Sequence, residues 1–262
     1  MTEYQNWHLS EEGHIASLTL NRPKAGNNLT PETLYELREI SRTLRKQSNI
    51  WAVIVQGRGR NFSTGIDIDM LKERLDQPEQ ANRSFLLGLQ ECMDDFEQLE
   101  KPTIAKLHGF CIGGGLILAL CCDFRIASQR AVFSLPEVKI GIGVIMGTQR
   151  VTRVAGVAAT KEMILLGKRF SAKTAYNYGL VNEIVPPDKL DARAAALADR
   201  FQNLPPRTVA ISKRIINSGQ DIPLRESQDL EIDAQMELLD SPDMREALES
   251  YMEKREPNFT GK

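Results

Sequence analysis

With 262 residues, 33 basic and 35 acidic side chains and a formal charge of -2, the chain is long enough for a sizeable core and carries no charge excess to draw it to nucleic acid or an anionic membrane. Its apolar runs fall short of the ~20 residues of a membrane span and the stretch from Met1 to Asn6 is polar, so a cytoplasmic location is expected. Cys92, Cys111, Cys121 and Cys122 lie in or beside apolar stretches without zinc-site or disulfide spacing, and are expected to be buried reduced thiols.

Short apolar strands are predicted at 15–20, 51–56, 103–107, 124–127 and 131–134, with helical stretches between them, which makes the chain α/β. The first long helix starts with Thr30 as N-cap and Pro31 at the first helical position, and turns Leu34, Leu37, Ile40 and Leu44 inward. A second carries Phe85, Leu89, Cys92, Phe96 and Leu99 at alternating steps of four and three, a core stripe. From about Gly147 strand signals nearly vanish. Helices are expected over 161–166, 172–178, 188–202, 208–218, 224–239 and 243–255, so the C-terminal third reads as all-helical.

Gly113-Gly114-Gly115 opens the apolar helical run Leu116-Ile117-Leu118-Ala119-Leu120. Bare backbone lets a ligand approach, and the first-turn N–H groups of a helix point at whatever lies in front of it. Phe62-Ser63-Thr64-Gly65-Ile66-Asp67-Ile68, after the strand at 51–56, offers a second close backbone approach. Two backbone donors from separate segments suit a thioester oxygen on which charge gathers, as in an oxyanion hole. Glu137 follows Leu135-Pro136 and precedes the apolar Val138-Lys139-Ile140-Gly141-Ile142, a setting that favours a site residue over a solvated loop glutamate. Burial in such a pocket would raise its pKa and suit it to carry a proton near neutrality.

These segments resemble the crotonase, or enoyl-CoA hydratase/isomerase, superfamily. The resemblance runs through Leu20-Asn21-Arg22-Pro23-Lys24-Ala25, Phe62 to Ile68, Lys101-Pro102-Thr103-Ile104-Ala105, Gly109 to Cys122, Cys122-Asp123-Phe124-Arg125-Ile126-Ala127, Phe133 to Glu137, Gly147-Thr148-Gln149-Arg150 and Tyr178-Gly179-Leu180-Val181. It implies a spiral of ββα repeats over 1–195 that holds the active site, then a helical region over 196–262 that builds a trimer, commonly paired into a hexamer. The substrate is then an acyl-CoA thioester, with coenzyme A part of the substrate and no separate cofactor or metal.

Carried over residue by residue, the resemblance makes the backbone N–H groups of Ile66 and Gly114 the oxyanion donors and Glu137 the proton carrier. Lys24, Ala25, Thr64 and Ile68 are then the coenzyme A contacts, with Tyr251 and Lys254 reaching across from a neighbouring subunit, and Gly113, Ile117 and Ile145 border the acyl group. Two departures stand out. Hydratases of the family carry a second glutamate where this chain has Ile117, and a Pro-Gly-Ala-Gly-Gly type loop where it reads Gly143-Val144-Ile145-Met146-Gly147. Ile145 likewise stands near where similar dienoyl-CoA isomerases place an acid, which argues against a two-acid diene mechanism. Asp69 falls where some relatives have a lysine.

One carboxylate suffices to move a double bond from C3 to C2 but is poorly equipped to add water, so isomerisation of a 3-enoyl-CoA is the leading expectation. A hydratase with an atypical site, an acyl-CoA hydrolase and a silent CoA-thioester binder stay open. So does RNA binding, since Arg38, Arg42, Arg45 and Lys46 form a basic stripe at helical spacing, although the interleaved Glu36 and Glu39 argue for a solvated face. His8, His14 and His108 are scattered and support neither a metal cluster nor a catalytic triad. Gly57-Arg58-Gly59-Arg60 lacks the lysine and spacing of a nucleotide-binding loop.

Overall fold

The computed structural model describes residues 4–261. The chain begins with β1 (Trp7–Glu12) and β2 (Ile15–Leu20), an antiparallel pair, and then α1 (Pro31–Lys46) and β3 (Ala52–Gly57). Next come α2 (Ile68–Lys72), α3 (Glu79–Glu97), β4 (Thr103–Leu107), β5 (Phe110–Ile112) and α4 (Gly114–Leu120). They lead into β6 (Phe124–Ser128), β7 (Val132–Ser134), α5 (Thr148–Leu166), β8 (Phe170–Ser171), α6 (Ala172–Asn177) and β9 (Glu183–Val185). The chain closes with α7 (Leu190–Phe201), α8 (Pro206–Ser218), α9 (Leu224–Leu239) and α10 (Pro242–Glu253).

Among the described residues the main sheet runs β1-β2-β3-β4-β6-β9, parallel from β2 onward, and a smaller sheet runs β5-β7-β8. Side chains alternate across a strand, and the main sheet is covered on both faces accordingly. Val53, Val55, Ala105, Leu107 and Ala127 join the large core with α1, α3 and α4. Ala52, Ile104 and Ile126 turn the other way, onto Leu190, Ala194 and Ala198 of α7. α1 starts where its sequence says it should: the Thr30 hydroxyl accepts the Thr33 amide at 3.3 Å, and Leu34, Leu37, Ile40 and Leu44 are buried.

Several recurring segments of the sequence are joints between distant parts of the chain. Asp123 Oδ2 accepts the Thr103 amide at 2.7 Å, the Thr103 hydroxyl at 2.9 Å and the Lys213 ammonium at 2.7 Å, tying β4, β6 and α8 together. Arg125, 7% exposed, donates from Nε to the Leu180 carbonyl at 2.8 Å, and its own amide donates to Asn182 Oδ1 at 2.8 Å. These bonds hold the turn before β9 to β6.

The expected all-helical C-terminal third is corrected here. β9 lies inside it and forms the edge of the main sheet beside β6, while β8 extends the small sheet. Three- and two-residue strands give too few residues for a period-two signal. β1 and β5 carry no readable strand signal, β1 because its sequence Trp-His-Leu-Ser-Glu-Glu is mostly polar on an edge. α5 begins at Thr148, well before the helix expected at 161, with a break at Gly156. Leu99 belongs to the core stripe but lies past the end of α3, and Phe85 is only partly buried. All four cysteines are buried free thiols. No helix among the described residues is long and apolar enough to cross a membrane.

Candidate active site

β5 ends at Ile112 and the chain turns into α4 through Gly113, whose backbone (φ 52°, ψ -127°) lies where only glycine fits easily. Its amide donates to the Ser134 carbonyl at 2.9 Å, so β7 fixes the start of α4. Gly114 is next, and its N–H belongs to the first helical turn, where no intrahelical acceptor exists.

The segment at 63–67 approaches from the other side. Leu29 and Asp67 hold it by bonds to the Gly65 carbonyl at 2.8 Å and from the Asp67 amide at 2.9 Å, and these turn the Ile66 N–H away from Leu29. Ser63 Oγ donates to the Asn27 carbonyl at 2.7 Å and accepts the Gly65 amide at 3.1 Å. The two segments are packed backbone to backbone. A Cβ on Gly65 would meet the Ile112 carbonyl at 2.7 Å and the Gly114 nitrogen at 3.2 Å, and one on Gly114 would lie 3.4 Å from the Ile66 nitrogen. Neither amide donates to a protein acceptor among the described residues. A pair of free, fixed amides is able to stabilise an oxygen that gains negative charge.

β7 delivers Glu137 to the same place. The turn Glu137–Ile140 follows Pro136 and closes on Gly141, and Glu137 Oε1 lies 2.7 Å from where a Cβ on Gly113 would stand. Oε2 is buried without a hydrogen-bond partner. Burial pushes the carboxyl above its usual range, opposed in part by a hydrogen bond from its own amide. A carboxylate with a raised pKa and a free oxygen is able to accept and return a proton.

Ile117 sits one turn beyond Gly114 on α4 and is 1% exposed. Its Cδ1 lies 2.1 Å and its Cγ1 2.5 Å from where a Cβ on Gly147 would stand, with Val144 Cγ1 3.0 Å from the same point. The loop at 143–147 therefore covers Ile117. Ile145, on the same loop, is 42% exposed.

Lys24 and Ala25 occupy the short turn Pro23–Ala25, which meets the segment before Ile66 where the Thr64 amide donates to the Gly26 carbonyl at 3.1 Å and a Cβ on Gly26 would lie 2.9 Å from the Thr64 side chain; Ile68, two residues beyond Ile66, is exposed. Tyr251 is 86% exposed on α10, Lys254 caps that helix in a left-handed conformation, and no hydrogen bond or ion pair joins them to the site among the described residues. A cavity of about 370 Å³ borders the site without enclosing it. It is lined by Thr64, Ile112, Pro136 and Lys139 among others, and not by Glu137 or the two amides themselves.

Sequence reasoning missed the supporting residue Asn27, buried with φ 58°. It accepts the Arg22 amide at 3.0 Å and donates to the carbonyls of Arg58 at 2.9 Å and Asn61 at 2.7 Å. Gly26-Asn27-Asn28 is the signal that could have found it, since asparagine tolerates the left-handed region. His108 is a loop anchor, its Nε2 2.9 Å from the Gly59 carbonyl. The basic stripe is largely paired: Arg38 binds Asp95 at 2.6 Å and Glu91 at 3.4 Å, and Arg42 lies 3.5 Å from Asp95.

Paired free amides and a buried carboxylate against them define an enzyme-like site for acyl chemistry at a carbonyl. The comparisons with known proteins agree. A family model described as enoyl-CoA hydratase/isomerase matches residues 10–262. The chain is 36% identical over 255 residues to the short-chain-enoyl-CoA hydratase of Clostridium acetobutylicum, covering 97% of each chain, and 34% identical over 261 residues to the crotonyl-CoA hydratase of Syntrophomonas wolfei, covering 99% of each. The crystal structure of an enoyl-CoA hydratase from Bacillus anthracis matches with a TM-score of 0.91 at 34% identity, over 98% of this chain and 100% of that one. The chain belongs to the enoyl-CoA hydratase/isomerase family, has the crotonase fold and is an enzyme that processes acyl-CoA thioesters.

Proposed function

We propose that the chain isomerises 3-enoyl-CoA to 2-enoyl-CoA. The observation that carries the reading is the Glu137 carboxylate beside the paired amides, with the apolar Ile117 where hydratases of the family hold a second. The thioester oxygen accepts from the Ile66 and Gly114 amides. Glu137 takes a proton from C2, the electron pair moves onto the thioester as a dienolate, and the acid so formed returns the proton to C4, leaving the double bond between C2 and C3. The raised pKa of Glu137 and its free Oε2 support both halves of this transfer. The covered Ile117 and its apolar loop support a site that withholds water from C3.

A hydratase is the second reading, favoured by the names of the Clostridium and Syntrophomonas relatives. It requires one carboxylate both to position water and to protonate C2. Following the conjugated thioester from a 3-enoyl-CoA, with wild type and Glu137→Gln, tests the first reading, and loss of conjugation from a 2-enoyl-CoA tests the second.

In the same reading the protein is a homotrimer, alone or paired, and Tyr251 and Lys254 meet coenzyme A across a subunit boundary. The exposed Ile232, Met236, Leu239, Leu248 and Met252 on α9 and α10 support such an apolar interface. Light scattering on the eluting protein measures the assembly.

A further inference from the structure

Arg150, in the first turn of α5, reaches in two directions at once. Its Nε and Nη2 donate to Glu97 Oε2 at 2.8 and 2.7 Å, and Nη2 also meets Asp94, both acids standing near the end of α3. Its Nη1 donates to the carbonyl of Met146. The side chain is 14% exposed, and its planar guanidinium fork is suited to holding three acceptors in one geometry.

Met146 has φ 66°, a left-handed backbone that a side chain of its kind rarely adopts and that its surroundings must enforce. The next residue, Gly147, is the one pressed against Ile117. The Thr148 hydroxyl holds the Val144 carbonyl at 2.8 Å, so the start of α5 grips the loop at two points. At its other end the loop grows out of the Glu137 turn, where the Ile142 amide donates to the Glu137 carbonyl at 3.2 Å. No space for an acyl chain remains between Ile117 and Gly147 while this grip lasts.

We propose that Arg150 is a positioning residue that sets the acyl-chain length the site accepts, by clamping the Met146 carbonyl to α3 and so keeping Gly147 seated on Ile117. The proposal rests on the acyl-CoA reading for its ligand but not on the choice between isomerase and hydratase. It differs from a purely structural role in what it predicts, because unclamping changes the ranking of chain lengths and not merely the amount of folded protein.

The test is binding of saturated, unreactive butanoyl-, octanoyl- and dodecanoyl-CoA by calorimetry to wild type, Arg150→Met, the double variant Asp94→Ala/Glu97→Ala, and Gly147→Ala. The double variant leaves the arginine in place but unpins it. Gly147→Ala pushes the loop off Ile117 with the clamp intact. Each is expected to shift the ratio of dodecanoyl- to butanoyl-CoA affinity toward the longer chain by about tenfold, the scale on which a hydrophobic pocket reads small changes in fit. Arg150→Lys, which replaces the fork by a single point charge, is expected to fall between wild type and Arg150→Met.

A folded Arg150→Met with the wild-type ratio overturns the proposal. If that variant does not fold, an unchanged ratio in the double variant overturns it equally. Wild-type protein that binds none of the three thioesters overturns the acyl-CoA reading and this proposal with it, whereas normal wild-type binding with invariant ratios overturns the clamp alone.

Discussion

Glu137 lies so close over Gly113 that a Cβ there would stand 2.7 Å from its Oε1. The carboxylate and the backbone that opens α4 therefore occupy their places jointly. Gly113→Ala adds a side chain at φ 52° and displaces the carboxylate, a backbone cost of about 1–3 kcal/mol. The expected result is a fall in kcat of about a hundredfold or more, on the scale of losing one oxyanion donor. Steady-state kinetics on a variant of near-normal secondary structure checks it, and an unaltered kcat would mean that Glu137 does not act from this position.

Burial raises the Glu137 pKa, and two consequences of opposite sign follow. The base form does the chemistry, so kcat/KM rises with pH through the raised pKa and then levels. Stability behaves the other way. The folded-state pKa lies above the unfolded value of about 4.3, so folding favours the protonated form and stability declines as pH climbs from that value through the folded pKa. Glu137→Gln is thus expected to melt above wild type at neutral pH and to lose the advantage below about pH 4. Melting curves of both proteins across pH measure this, and an offset independent of pH would contradict it. The same variant is expected to lose about 10²–10⁴-fold in turnover.

Ile117→Glu places a carboxylate where 1% of the residue is exposed, against Gly147 and Val144. Destabilisation of at least about 2 kcal/mol is expected from burying an unpaired polar group. In the protein that does fold, the ratio of 2-enoyl-CoA hydration to 3-enoyl-CoA isomerisation is expected to rise, and Ile117→Gln, which adds no base, is expected to leave it unchanged. Chromatographic separation of hydroxyacyl and enoyl products gives the ratio directly.

Lys213 joins α8 to the sheet through Asp123 at 2.7 Å and the Lys101 carbonyl at 3.0 Å. Lys213→Met leaves Asp123 accepting only from Thr103, and breaking a pair this buried costs about 3 kcal/mol, somewhat less for the partial exposure of the acid. Urea unfolding is expected to show that loss with little dependence on salt, whereas removing the exposed Arg255 partner of Glu246 should leave stability almost unchanged.

The parts of the molecule legible in the sequence are those written in local periodicity or in backbone chemistry. Thr30-Pro31 and the Leu34, Leu37, Ile40, Leu44 stripe mark α1 because capping and burial act within one element. The glycines before α4 mark a backbone approach for the same reason. Short β8 and β9 were hidden because their pairing partners, β7 and β6, lie tens of residues away in the chain. The packing of Gly147 over Ile117 is not legible in the sequence, because it joins α4 to a loop some thirty residues further along the chain. The nearness of Glu137 to Gly113 follows from the parallel pairing of β5 with β7, which only the fold reveals.

Parallel progress curves with a 3-enoyl-CoA and a 2-enoyl-CoA of matched chain length, on wild type and Glu137→Gln, bear most directly on the single-carboxylate mechanism. The account predicts that wild type conjugates the 3-enoyl thioester, leaves the 2-enoyl thioester almost untouched, and loses the first activity on substitution of Glu137. Efficient hydration of the 2-enoyl substrate by wild type, or conjugation that survives Glu137→Gln, would contradict it.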